Sequence, residues 1–77
     1  MRPCTYETIA DGSTRLCEVV AMAVGEDLGL AEDLARRIAR ALVYGRHVKI
    51  DGATVEARNL DPGEATPRRG ARVSFTF

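Results

Sequence analysis

The dipeptide Asp51-Gly52, set between "HVKI" and "ATVEA", restricts the fold of this chain more than any other feature. A two-residue connection of type I′ needs positive φ at both positions and twists in the sense of the strands it joins. Asp-Gly meets that demand better than almost any other pair. The spacing therefore predicts an antiparallel hairpin with residues 47–50 on one side and 53–57 on the other.

The remaining elements can be read outward from that hairpin. Before it, the stretch from Glu32 to Tyr44 has Leu34, Ile38, Ala41 and Leu42 at helical spacing, with Arg36, Arg37 and Arg40 on the other flank. Glu32 and Asp33 lie early and the arginines late, as the helix dipole favours, and Gly45 is expected to end the helix. Further upstream, Leu16, Val19, Val20, Ala23, Val24 and Leu28 recur at i, i+3, i+4 and predict another helix. Ser13 is its expected N-cap, Gly29 its left-handed stop and Leu30 the apolar residue that follows. A rival reading makes "LCEVVAM" the second strand of a hairpin turned at Asp11-Gly12, which β-branched Val19 and Val20 favour. The helix is preferred for its longer period. "CTYETIA", residues 4–10, reads as a strand closed by "DGS". "RNLDPGEATPRRG" has loop composition, and its 13 residues exceed an ordinary connection, which suggests mobility or a role. "ARVSFTF" places Val73, Phe75 and Phe77 on one face of a half-buried strand. The expected order is strand, helix, helix, strand, strand, strand, an α+β fold with an antiparallel sheet in one domain spanning residues 1–77.

A chain of 77 residues with 45% apolar and 29% charged side chains is expected to fold around one small core. It has no apolar run of roughly 18 residues and no signal-like start, so the cytoplasm is the expected location. Cys4 and Cys17 with a single histidine make no structural zinc set, and both thiols are expected to be reduced and packed. Net charge is zero but unevenly spread. Residues 1–33 hold two basic and seven acidic side chains, and residues 34–77 nine basic and four acidic, a polarity of minus five against plus five. Such an asymmetry points to an electrostatic partner.

No nucleophile, base and orienting group stand at catalytic spacing, so a non-catalytic protein without cofactor or metal is expected. His47 reads as a rim residue at a strand start. "GEDLGL" lacks the preceding strand and the Lys-Ser/Thr of a phosphate loop. Gly25 reads as a close-packing position, and the acidic pairs Glu26-Asp27 and Glu32-Asp33 as helix-end residues.

From Ala35 to Val55 the chain also shows a pattern: Ala35-Arg36, Ala39-Arg40, Leu42-Val43, Arg46-His47-Val48, Ile50-Asp51-Gly52 and Val55. Over about 21 residues this resembles, without a gap, the small RNA-binding domain named after the fourth protein of the small ribosomal subunit, the alpha-L motif. That family has Ser-Arg, Ala-Arg, Leu-Ile, Gly-His-Val, Val-Asn-Gly and Val in these places. "RLCEVV", "LGLA" and "PRRGARVSF" are looser echoes of its first helix, its helix stop and its last strand. Here Ala35 stands for the family's Ser and Arg46 for its Gly, about five extra residues precede Gly70, and the first strand has no counterpart.

The resemblance implies that the helix before the hairpin and the helix-to-strand join face an RNA backbone, held by shape and phosphate contacts. Mapped onto this chain, the candidate nucleic-acid-binding residues are Arg36, Arg37, Arg40, Arg46, His47 and Lys49. Arg36 and Arg40 are one turn apart, and Arg46, His47 and Lys49 extend the patch onto the hairpin. The simpler alternative is a solvated basic flank paired as Glu32–Arg36 and Asp33–Arg37. Structured RNA is thus the first expected partner. The second is a host protein bound by a small adaptor or inhibitor of the kind mobile elements encode, such as an anti-CRISPR protein. Salt should weaken the first strongly and the second little.

Overall fold

In the computed structural model, which describes residues 4–54 and 65–76, the elements follow the expected order. They are β1 (Thr5–Ile9), α1 (Leu16–Leu28), α2 (Glu32–Tyr44), β2 (Val48–Ile50), β3 (Ala53–Thr54) and β4 (Arg72–Thr76). The four strands form one sheet in the order β1-β4-β2-β3, every neighbouring pair antiparallel. Asp51 and Gly52 both have positive φ, 51° and 84°, and Ile50 pairs with Ala53, so the hairpin is the two-residue type that Asp-Gly predicts. Val55, Ala57, Phe77 and most of the long loop lie outside the described residues.

Alternation along β4 puts Val73 and Phe75 in the core, where Tyr6 and Val48 flank Phe75 in register. Thr5, Glu7, Ile9, Lys49, Thr54, Arg72, Ser74 and Thr76 share the other face by the period of two. The segment 16–28 is helical and not the second strand of a hairpin; β1 pairs with β4 instead. Its β-branched valines have a simple cause. α1 is covered by the sheet on one side and by α2 on the other, so Leu16, Val19, Val20, Ala21, Ala23 and Val24 are all buried. A helix covered on two sides is apolar over more than one stripe and loses the clean amphipathic signature.

α2 has the expected bounds but a different buried face. Ala35, Ala39, Leu42 and Val43 are buried and Ile38 half-buried, whereas Leu34 is 46% exposed and Ala41 exposed. Small side chains let the two helices approach closely, and that favours the alanines over the larger leucine. Gly25 stands at this contact, but a Cβ there would lie 3.7 Å from the Ala35 Cβ, an ordinary separation, so close packing does not require glycine. Gly25→Ala is therefore expected to stabilise the protein by about 0.5–1 kcal/mol through helix propensity, read as a higher urea midpoint. A lower midpoint would mean that the helices sit closer than described.

The ends of the helices differ from the expected caps. Ser13 does not cap α1. Its amide and that of Thr14 both donate to Asp11 Oδ1 at 2.9 Å, and Thr14 Oγ1 donates to Oδ2 at 2.7 Å, which makes a local turn centred on Asp11. The Leu16 amide, at the start of α1, donates to the Ala65 carbonyl instead (2.8 Å). At the other end Gly29 is left-handed and Leu30 donates to the Gly25 carbonyl, as expected. No disulfide joins Cys4 and Cys17. Cys17 is half-buried against the core, but Cys4 is exposed rather than packed, because it leads into the edge strand β1.

Candidate nucleic-acid interface

The C-terminal end of α2 determines where the basic residues point. The Arg46 amide donates to the Val43 carbonyl (3.2 Å) and the His47 amide to the Leu42 carbonyl (2.9 Å), the paired bonds of a Schellman ending. In that motif the residue after the cap is left-handed, a place usually taken by glycine. Here it is Arg46, with φ 61°, while Gly45 one residue earlier has an ordinary φ of −80°. Gly45 thus ends the helix by proximity rather than by handedness. A Cβ on it would lie 2.8 Å from both the Ala41 carbonyl oxygen and His47 Cδ2, so the imidazole is folded back against the helix end.

Along α2, Arg37, Arg40 and Tyr44 are spaced i, i+3 and i+7 and share the outer face. Arg40 Cζ sits 5.7 Å from the centroid of the Tyr44 ring. Arg36 is turned toward α1, where its Nη2 lies 2.9 Å from Glu32 Oε1 and 3.7 Å from Glu18 Oε2. These exposed pairs contribute little stability. They do place two carboxylates beside the guanidinium. Among the described residues, Arg37 forms no ion pair with Asp33. Lys49 lies between Ser74 and Thr54 on the sheet face opposite Val48 and the helices. The structure therefore brings Arg37, Arg40, Arg46 and His47 onto one helix face and its end, pairs the exposed Arg36 with acidic partners in a groove beside α1 that Arg40 also borders, and sends Lys49 to the far side of the sheet.

The acidic half of the sequence gathers elsewhere. A cleft of about 340 Å³ between α1 and α2 is bordered by Glu18, Glu26, Glu32 and Arg36, with Met22 beside it. A second, of about 200 Å³, lies between β1 and α1 and carries Glu7, Asp11, Glu26 and Asp27. Two groups escaped the sequence reading. Tyr44 was legible in principle, since an Arg–Tyr pair at i, i+4 meets on a helix surface. The anchoring of the hairpin was not. Asp51 Oδ1 accepts from the Arg72 amide and Oδ2 from Arg68 Nη2, each at 3.0 Å, across 21 and 17 residues of sequence.

These hydrogen bonds make two carboxylates acid-sensitive. Asp11 is lowered to about 2, chiefly by the Thr14 hydroxyl and then by the Ser13 and Thr14 amides. Asp51 is lowered by the Arg72 amide and the Arg68 guanidinium. A carboxylate whose folded pKa is depressed contributes stability above its unfolded pKa of about 3.9, and that contribution is lost as pH falls through the folded value. The melting temperature should thus drop between about pH 4 and pH 2. Asp11→Ala should show a shallower drop, and an unchanged acid profile would remove Asp11 as its source.

Among the described residues no helix is long and apolar enough to cross a membrane, and no three His, Cys, Asp or Glu side chains stand close enough to hold a metal ion. The chain matches no family model, no curated protein and no solved structure.

Proposed function

We propose that this protein is a small non-catalytic module that binds structured RNA through the outer face of α2 and the join that follows it. The observation that carries this reading is the backbone of Arg46. A non-glycine residue in the left-handed region costs on the order of 1 kcal/mol, and glycine would remove that cost. The chain nevertheless holds an arginine there, exposed, at a position fixed by two hydrogen bonds to the helix. Such a residue presents a cation from a fixed backbone position just beyond the helix that carries Arg37 and Arg40, where a phosphate can be met. At this position the chain departs from the alpha-L resemblance, which has glycine there, so support for the join comes from the backbone of Arg46 itself. Exposed apolar residues favour the protein-binding alternative less. Met22 borders the cleft beside Arg36, Leu34 lies on the other flank of α2, and Ile9 is on the open sheet face, so they make no contiguous patch.

The test uses a labelled hairpin RNA titrated at several salt concentrations. Arg37, Arg40 and Arg46 engage about three phosphates, which gives a log–log salt slope of roughly −2 to −3. Arg46→Gly is expected to keep stability or raise it by up to about 1 kcal/mol while lowering affinity and flattening the slope by about 0.7–0.9. Arg37→Glu with Arg40→Glu should weaken binding to all RNAs alike, with Arg36→Glu doing less because Arg36 already faces Glu18 and Glu32. Absence of salt-sensitive binding in the wild type would overturn the reading and leave the protein partner as the alternative.

A further inference from the structure

We propose that Tyr44 and Arg40 form a stacking platform for one unpaired base, so that the preferred RNA carries a loop, bulge or free strand beside its phosphate contacts rather than an uninterrupted duplex. This rests on the RNA-binding reading above and adds a ligand class to it. The two tyrosines are placed very differently. Tyr6 is stacked on Phe75 with ring centroids 5.4 Å apart and packs against the core. Tyr44, the last residue of α2, keeps 46% of its surface exposed, and its ring lies beneath the Arg40 guanidinium at 5.7 Å. An aromatic ring next to a planar cation offers two flat surfaces to a nucleobase, and unstacked bases in RNA loops are held on such surfaces. The cations around the ring complete the site. Arg40 and Arg37 lie one and two turns before Tyr44 on the same helix side and Arg46 follows it by two residues, so cations precede and follow Tyr44 along the chain, where the phosphates flanking a seated base would run. In a continuous duplex every base is already stacked on its neighbours, and a ring on a convex helix surface reaches none of them without unpairing.

An i, i+4 Arg–Tyr contact also steadies a helix end without any ligand, so the test has to separate binding from folding. A hairpin RNA with an unpaired purine loop and a blunt duplex of equal charge are titrated by fluorescence anisotropy at two salt concentrations. The proteins are the wild type, Tyr44→Phe, Tyr44→Leu and Tyr44→Ala. The platform predicts that the wild type prefers the hairpin by about 5- to 150-fold and that Tyr44→Phe keeps the preference. Tyr44→Leu and Tyr44→Ala should bind the hairpin only as well as the duplex. Their duplex affinity and salt slope should match the wild type, since stacking releases no counterions and unchanged duplex binding reports an intact fold. If the wild type binds both RNAs equally, or Tyr44→Leu keeps the hairpin preference, the platform is overturned and the electrostatic reading stands. If the wild type binds neither RNA, both fall together.

Discussion

Phe75→Ala should leave most of the protein unfolded at 25 °C. Phe75 is 1% exposed, lies on β4 between β1 and β2, and is stacked on Tyr6. Truncating a buried phenylalanine removes its transfer free energy and leaves a cavity, at a cost of about 3–5 kcal/mol. A single core in a chain of this length supplies only about 3–5 kcal/mol of net stability, so the loss is as large as the total. Urea denaturation followed by circular dichroism reads it. Phe75→Leu, which keeps most of the volume, should cost less than about 1.5 kcal/mol and fold normally. A Phe75→Ala protein with a midpoint near that of the wild type would mean that the core lies elsewhere.

Gly12→Ala should be strongly destabilising, because a left-handed backbone and a backbone clash fall on the same residue. Gly12 has φ +87°, and a Cβ on it would lie 2.9 Å from Arg69 Cβ and 3.0 Å from the Arg69 backbone nitrogen. Neither side can yield easily. The Ala10 amide donates to the Ala71 carbonyl and the Gly70 amide to the Ala10 carbonyl, which clamps the 68–71 turn to the end of β1. Left-handed strain of about 1–2 kcal/mol and a backbone clash of similar size together give about 2–4 kcal/mol. Gly70→Ala is the matched control. Its φ is +85°, but a Cβ there meets nothing within 4 Å, so only the conformational part applies. The difference between the two urea midpoints measures the clash, and equal losses would place Arg69 away from Gly12.

Local chemistry explains which parts of this fold were legible. The Asp51-Gly52 turn and the bounds of α2 depend on neighbours a few residues apart, and both stand as the spacing predicts. α1 was ambiguous because cover on two sides erases the stripe that distinguishes a helix from a buried strand. Helical spacing alone put Leu34, Ile38, Ala41 and Leu42 on the buried face of α2, whereas close helix contact rotates Ala35 and Ala39 inward and leaves Leu34 and Ala41 exposed. Of the candidate interface, the sequence identified the cations but not their directions. Arg36 meets Glu18 from another helix, and the period of two sends Lys49 away from α2 once its strand is paired. The left-handed Arg46 was not legible, because Gly45 beside it offered the more obvious helix stop.

The position of β4 has a consequence for how the chain acquires its structure. This last strand is inserted between β1 and β2, and its pairing with β1 joins Thr5 to Thr76, 71 residues apart. Until residues 72–76 are available, the sheet reduces to the short β2–β3 hairpin, and the α1–α2 pair has no complete surface on which to rest. Closure of so long a loop comes before any of the contacts that repay it, which slows folding relative to a helical bundle of equal size. On a ribosome, the domain would therefore stay open until nearly all of it had been synthesised, and then form its core in a single step.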